Sequence, residues 1–350
     1  MNLGRHKAVF RWVLKRLAAE GLLSGKNLGV DATTLEANAA LKSIVRRDGG
    51  ASYDEHVAEL MKTEGIEEPT PAERQRFDRK RKKSLSNGDW VNPHDREAPI
   101  SKMKDGRTHL AYKAEHAVDL EMGAVALTVQ RANRGDTASM PATLAEAGCT
   151  VTGMAGQAAR AGAAGPVETV SEVGVERVVA DKGYHSKQTL QDLAEVGVRT
   201  VIAEPERKRQ EWSGQRAAQA TVYANRRRME TQTAKALMRR RGELIERSFA
   251  HLYDTGGMRR VHLRDKSNIA KRALIHAAAF NLSLILRQLL GVRTARQAVQ
   301  LRIALCFCLI ALANAVPTTP QHINPTSGAD YWPRQCRWVA CENATLSTGC

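Results

Sequence analysis

The amino-acid sequence predicts a mixed α/β fold, in which one sheet is flanked by helices. Residues 110–130 alternate between apolar and polar side chains around Gly123, a pattern typical of a β-hairpin. Two later apolar runs, residues 175–180 and 198–203, are separated by a segment with helical spacing. A meander followed by strands that alternate with helices is typical of a mixed sheet.

The elements before the hairpin are a helix, a strand and a long insertion. Residues 7–23 carry apolar side chains at helical spacing, and Gly21 closes the pattern. Residues 27–31 predict a short buried strand with Asp31 at its carboxyl end. Residues 38–107 combine helical patches, turn dipeptides and a run of basic side chains. This texture predicts a helical, basic insertion on the surface, placed after the first strand.

The elements after the hairpin alternate between strands and helices. A Gly/Ala-rich stretch, residues 155–165, comes before the strand that ends at Asp181. Ser186 is positioned to cap the next helix, and Gly197 to end it. Residues 269–290 predict a strongly apolar helix that packs on the sheet.

This order of elements predicts three segments. They are a leading helix (1–25), one large domain (26–300) and a tail without assignable elements (301–350). The longest apolar run, residues 303–313, is shorter than the roughly 20 residues that span a bilayer and predicts a buried helix rather than a membrane anchor. The first residues lack a secretory signal pattern, so the cytoplasm is the expected location.

The charge of the chain predicts a polyanionic partner. Lys and Arg number 53 against 37 Asp and Glu, which gives a formal net charge of +16. Such a surface attracts nucleic acid, although charge alone does not separate an enzyme from a packing protein. The six cysteines form no CxxC pair, so the sequence has no zinc-ribbon pattern.

One segment, from residue 204 to residue 241, concentrates this positive charge. The alternative interpretation is a solvated helical face, but the one-sided charge favours contacts to the DNA backbone. The predicted DNA-binding residues in this segment are Arg207, Lys208, Arg209, Arg226, Arg227, Arg228, Arg239, Arg240 and Arg241.

Three acidic residues are candidates for a metal site. Cutting a phosphodiester with two metal ions needs carboxylates from separate chain segments, and Mg²⁺ prefers oxygen ligands. Asp31 and Asp181 each follow an apolar strand, and Glu246 lies beside the apolar helical stripe of Ile245, Phe249 and Leu252. Each residue alone also fits a structural role: a helix cap for the aspartates, and for the glutamate an ion pair with a nearby arginine. Glu243, one turn earlier, is expected to point toward the arginines at 239–241.

The surroundings of these acids resemble a known family. The segments GVDATTLEAN (29–38), VADKGY (179–184) and ERSFAHL (246–252) are similar, in order and setting, to the acidic blocks of bacterial insertion-sequence DDE transposases. The resemblance covers residues 5–290. Where a related group has arginine and lysine around the glutamate, this chain has Gly242 and Tyr253. Arg241, Arg247 and Arg259 are left as candidate phosphate contacts, and none of them is assigned to the two replaced positions.

The resemblance implies an RNase H-like catalytic domain, with Asp31, Asp181 and Glu246 as catalytic metal ligands. It further implies two Mg²⁺ or Mn²⁺ ions, double-stranded DNA as transposon ends and target, and a homodimer in the DNA complex. The expected reaction is cleavage at the ends followed by strand transfer. Only about 25 residues precede the first acidic block, so the N-terminal region of the family is expected to be missing. Two alternatives stay open: an inactive remnant that only binds DNA, and a metal-dependent nuclease without strand transfer.

Overall fold

The computed structural model describes residues 2–81, 85–103, 106–161, 170–206, 210–291, 300 and 303–308. Two compact units are present, Met1–Ala295 and Arg296–Cys350. The helices of the first unit are α1 (Leu3–Ala19), α2 (Tyr53–Thr63), α3 (Pro71–Lys80), α4 (Asp136–Ala161), α5 (Lys187–Glu195), α6 (Arg216–Glu230), α7 (Gln232–Phe249) and α8 (Lys266–Leu290). The strands are β1 (Asn27–Glu36), β2 (Val45–Arg46), β3 (Trp90–Val91), β4 (Ile100–Lys102), β5 (Thr108–Asp119), β6 (Val125–Arg131), β7 (Arg177–Ala180) and β8 (Arg199–Ile202).

A mixed sheet with helices on both faces forms the centre of this unit. β6, β5 and β1 are successive antiparallel neighbours, and β4 also pairs with β5. β7 lies parallel to β1 and β8 parallel to β7, which gives the order β6-β5-β1-β7-β8. The predicted mixed α/β class is confirmed, and this curled sheet is compatible with an RNase H-like fold.

The two faces of the sheet bury different helices. On one face, Val30 and Val178 pack with Met140 of α4 and Leu190 of α5. On the other face, Val179 packs with Ala234 of α7. Because strand side chains alternate between faces, Asp31 lies on the α7 face, next to the buried Val30.

The first strand is longer than its sequence predicts. β1 continues beyond Asp31 to Glu36, so Asp31 lies in mid-strand, and the prediction that it ends the strand is wrong. Two different pairings explain this. The parallel ladder to β7 ends at Gly29, whereas the antiparallel ladder to β5 continues to Glu36. Asp31 therefore lies where one neighbouring strand ends and the other continues.

One long helix has no counterpart in the sequence prediction. α4 begins at Asp136, contains Pro141 in its first turns, and extends through the start of the Gly/Ala-rich stretch. Glycine and proline normally weaken a helix, so local propensity argued against it. Buried Met140 and Ala147 attach α4 to the sheet, and packing outweighs propensity here.

The insertion after β1 is helical, as predicted. Capping boxes begin both of its α-helices, with Ser52 and Glu55 at α2 and Thr70 and Glu73 at α3. β2 and β3 form a separate two-stranded ladder beside them. The basic side chains of α3 therefore belong to a folded excursion outside the central sheet.

The apolar helix α8 packs against α1 and β6, as its sequence predicts. By length and composition alone α8 would also suffice to cross a membrane, which is weak evidence because Ala273, Ala277 and Phe280 are core residues. In the second unit, residues 303–308 are helical but exposed, so the prediction of a buried helix is wrong for them. The rest of the predicted tail, residues 301–302 and 309–350, lies outside the described residues.

Candidate active site

The first two candidate acids lie side by side at one sheet edge. β1 and β7 are parallel with Gly29 opposite Val179. Two residues further along the chain, Asp31 still lies in β1, and Asp181 directly follows the end of β7. Both side chains are half-buried. Asp181 caps a short 3-10 helix by accepting a hydrogen bond from Gly183 N at 3.0 Å, which is the common structural role of aspartate after a strand. The sheet thus brings together two acids that are far apart in sequence.

A third carboxylate, not identified from the sequence, adjoins Asp181. An ideal Cβ added to Gly183 would lie 2.8 Å from Asp136 Oδ2 and 3.2 Å from Asp181 Oδ1. The other oxygen of Asp136 accepts a hydrogen bond from Lys113 Nζ at 2.7 Å. Glycine at position 183 therefore leaves space that two carboxylate oxygens face. The available sequence signal was an aspartate after β6 at the start of a helix, but α4 itself was not predicted.

A buried glutamate supports this acidic edge from the α4 face. Glu115 accepts hydrogen bonds from Ser139 Oγ at 2.6 Å and Tyr184 Oη at 3.0 Å, and also from Thr143. Burial raises the pKa of Tyr184, and the negative charges of Glu115, Asp136 and Asp31 raise it further. Tyr184 therefore stays a hydrogen-bond donor at any physiological pH. Glu115, Asp136 and Asp31 therefore all lie close enough to the Tyr184 hydroxyl to act on it.

Glu246 lies on α7, the helix that covers the Asp31 face of the sheet. Ile245, Phe249 and Leu252 beside it are buried, as predicted, and Glu246 itself is exposed. Within the described residues, Glu246 has no ion-pair partner, and no group of three His, Cys, Asp or Glu side chains is arranged to hold a metal ion. The grouping of Glu246 with Asp31 and Asp181 in one metal site therefore stays a prediction.

The neighbouring Glu243 has a partner other than the one predicted. Its Oε1 accepts a hydrogen bond from Arg247 Nη2 at 2.6 Å, so the expectation that it points toward residues 239–241 is wrong. Residues four apart on a helix lie on the same side, which makes this pairing the local one. Glu243 is thus already neutralised on the surface of α7.

Arg241, which precedes Glu246 on α7, contacts Asp31 directly. Its Nη2 lies 2.8 Å from Asp31 Oδ2, and its Nε donates to the Val30 carbonyl at 3.0 Å. The arginine is buried. Its predicted role as a DNA contact stays a prediction, and in this arrangement its guanidinium is used by the first acid of the site.

A buried histidine attaches the end of α7 to the sheet. His116 of β5 lies opposite Asp31 in the strand ladder, and its Nδ1 is 2.8 Å from Ser248 Oγ. Ser248 donates to the Ile245 carbonyl, so His116 Nδ1–H is the donor and Nε2 accepts from Tyr253 Oη. Tyr253 lies in the π-helical turn Ala250–Thr255 that follows α7. These hydrogen bonds attach the carboxyl-terminal end of α7, where Glu246 lies, to β5.

The burial of His116 predicts an acid-sensitive fold. Burial lowers the pKa of His116 to about 3 from its ordinary 6.5. Below about pH 6.5 the unfolded chain binds a proton on His116 that the folded chain does not bind. The contribution of His116 to the free energy of unfolding is therefore fully present above pH 6.5 and is lost as the pH falls. From pH 7 to pH 5 we expect the free energy of unfolding in urea to fall by about 2 kcal/mol from this group.

The matched control is His116→Gln, which retains hydrogen-bonding groups but does not titrate. Its stability is expected to be lower at pH 7 and to change less between pH 7 and pH 5. An equal pH dependence in the two proteins would contradict the assignment to His116.

Most of the predicted DNA-binding residues already have partners in the protein. Arg226 pairs with Glu204 at 2.6 Å, and Arg228 donates to the Thr200 carbonyl at 2.7 Å. Burial lowers the pKa of Arg228, as do the nearby charges of Arg199, Arg177 and Arg227. The remaining partnered residues are Arg240 (Glu121 carbonyl), Arg247 (Glu243) and Arg259 (Asp254 and Thr33).

Two predicted residues remain available at the surface. Arg227 and Arg239 are exposed and show no hydrogen bond or ion pair to any part of the chain that the structure describes. The predicted residues Arg207, Lys208 and Arg209 lie outside the described residues. Arg227 and Arg239 are thus the predicted residues on α6 and α7 that are exposed and make no hydrogen bond or ion pair within the described part of the chain.

A family model of the transposase DDE domain matches residues 79–282, more than half of the chain. The chain belongs to the transposase DDE domain family. Searches of curated proteins and of solved structures find no match. Asp181 and Glu246 lie within the matched segment, and Asp31 precedes it. The resemblance read from the acidic blocks is thereby confirmed at the level of the family.

Transposases act on DNA, and this family generally uses divalent metal ions. Carboxylate oxygens near the ends of the parallel strands are donors of the kind that such an ion takes. Asp31 and Asp181 supply the oxygen ligands that Mg²⁺ prefers, and the space left by Gly183 is bordered by carboxylate oxygens. Mn²⁺ accepts similar ligands.

Proposed function

We propose that this DDE-domain transposase cleaves the ends of a DNA element and joins them to target DNA, with Asp31, Asp181 and Glu246 as its catalytic residues. The supporting observation is that Asp31 and Asp181 each lie two residues beyond Gly29 and Val179, which are paired in adjacent parallel strands. This arrangement supplies carboxylates from separate segments, as two-metal phosphodiester chemistry requires.

In the proposed mechanism, the protein mainly positions charged groups. Bound Mg²⁺ or Mn²⁺, two ions in our proposal, would activate the attacking oxygen and neutralise charge on the phosphate. Asp31 and Asp181 would hold the ions from the sheet, and Glu246 would approach from α7. Lys113 orients Asp136 beside Asp181, within the same acidic edge. An attacking water would cut the phosphodiester, and the freed 3′-hydroxyl would then attack the target strand.

The partners in this proposal are double-stranded transposon ends and target DNA, with the exposed Arg227 and Arg239 among the backbone contacts. A homodimer in the DNA complex and a cytoplasmic, nucleoid-associated location belong to the same proposal. Arg247 and Arg259 are exposed at the end of α7 and after it, where phosphate contacts would lie near Glu246.

Two structural observations favour a second candidate, a remnant that binds DNA without cutting it. Glu246 is exposed, and Arg241 is bound to Asp31. A nuclease without strand transfer would use the same acids but would not join the ends.

A strand-transfer assay separates these functions. The full chain is incubated with Mg²⁺ and with DNA that carries the repeats flanking its gene, either intact or already cut at the 3′ end. We expect cleavage of the first DNA and joining of the second, both absent in Asp181→Asn. Cleavage without joining would instead establish the nuclease, and DNA binding without either reaction would establish the remnant.

A further inference from the structure

We propose that Arg241 is an internal counter-cation of the first catalytic acid, which holds Asp31 in the metal-free protein and must release it when a metal ion binds. The inference rests on the proposed function, because it assigns Asp31 to a metal site. It adds a positioning residue that competes with the metal.

Three contacts place the Arg241 side chain on β1. Its aliphatic part crosses Gly29, where an added Cβ would lie 3.2 Å from Arg241 Cγ and 2.7 Å from a methyl carbon of Leu120. Its Nε donates to the Val30 carbonyl at 3.0 Å, and its Nη2 reaches Asp31 Oδ2 at 2.8 Å. Three successive residues of β1, Gly29 to Asp31, therefore contact the Arg241 side chain.

Gly29 has no side chain and so leaves room for the Arg241 side chain on β1. Any larger side chain there would occupy the space of the arginine stem and of Leu120. The flat path over the glycine lets Arg241 reach the strand from α7 with its charged end at Asp31. A surface ion pair is screened by water and salt, whereas this guanidinium is buried, so its attraction to Asp31 is screened less.

The positive charge of Arg241 offsets the repulsion between the two aspartates. Asp31 and Asp181 are neighbours at one edge, and like charges at short distance destabilise each other. An arginine stays protonated at every relevant pH, so it offsets this repulsion permanently. A divalent cation would offset the same repulsion more strongly and needs the same carboxylate oxygen.

Competition follows from the shared oxygen. Asp31 Oδ2 is paired with Arg241, and Oδ1 accepts a hydrogen bond from Ala32 N at 2.7 Å. Metal ligation through Oδ2 therefore requires the guanidinium to move away. The cost of this displacement lowers the apparent metal affinity, as for any site whose competent state is only partly populated.

The test measures Mn²⁺ binding to the full chain without DNA, by the electron paramagnetic resonance signal of free Mn²⁺. Arg241→Met retains an unbranched stem over Gly29 and removes the charge. We expect its Mn²⁺ dissociation constant to be at least about tenfold lower than that of the wild type. We also expect its metal-free melting temperature to be lower, and to rise more than that of the wild type when Mn²⁺ is added.

The matched control is Arg240→Met, which removes the same charge from the adjacent residue, whose guanidinium binds the Glu121 carbonyl. Its Mn²⁺ affinity is expected to stay close to that of the wild type. If Arg241→Met does not fold, Arg241→Gln replaces it, since an amide can still donate to the Val30 carbonyl.

The outcomes separate the inference from the proposed function. Equal or weaker Mn²⁺ binding in the Arg241 variant, with binding lost in Asp31→Asn, would overturn the counter-cation and keep the metal site. If Arg240→Met gained as much Mn²⁺ affinity as the Arg241 variant, the gain would come from the lower total charge, and the inference would also be overturned. If neither the wild type nor the Arg241 variant binds Mn²⁺ through Asp31, the inference fails together with the proposed metal site.

Discussion

Glu246→Gln is expected to abolish Mg²⁺-dependent DNA cleavage while DNA binding persists. The change removes one negative charge from the proposed metal site and leaves the shape of the side chain almost the same. Loss of a carboxylate ligand costs several kcal/mol of transition-state stabilisation, so cleavage should fall by more than about a thousandfold. Cleavage is measured with a labelled transposon end, and binding by a gel-shift assay on the same DNA.

The matched control for this prediction is Glu243→Gln, three residues earlier on α7. Glu243 is exposed and bound to Arg247, so its loss should leave cleavage substantially intact. If Glu243→Gln abolished cleavage and Glu246→Gln did not, the third ligand would be Glu243, one helical turn earlier. If both variants cleave DNA as well as the wild type does, neither glutamate is a catalytic ligand.

DNA affinity is expected to fall steeply with salt. A chain with a net charge of +16 binds DNA largely by releasing counterions from phosphates. If about six to ten phosphates are contacted, affinity should drop by about a thousandfold or more between about 50 and 200 mM salt. Fluorescence anisotropy of a labelled duplex measures this dependence. Affinity that stays constant over that range would contradict an electrostatic interface.

The structure also decides which residues test this interface. Arg226 and Arg228 hold Glu204 and Thr200, so neutralising them would loosen the packing around β8 as well as remove charge. Arg227→Gln with Arg239→Gln removes exposed charge alone and should weaken binding to all sequences alike.

The control for these two substitutions is the pair Arg5→Gln and Lys15→Gln on α1, which removes the same charge from a helix packed against α8. A loss of affinity as large in this control would show that only the total charge matters. A loss restricted to one DNA sequence would indicate base recognition.

The sequence by itself determined the hairpin of β5 and β6, the strand before Asp181, the cap at Ser186 and the apolar helix α8. These features are local, because side-chain alternation and turn residues report directly on backbone conformation. The three acidic blocks are likewise linear patterns, which is why the family could be identified before any fold was known.

The tertiary structure alone decided the length of β1, the presence of α4 and the surroundings of the acids. β1 extends past Asp31 because β5 pairs with it to Glu36, and α4 forms despite Pro141 because its buried face packs on the sheet. Arg241 meets β1 across a separation of 211 residues, and oxygens of Asp136 and Asp181 both border the space that Gly183 leaves open. Such contacts depend on which surfaces long-range packing brings together, and periodicity along one segment carries no information about its partner in space.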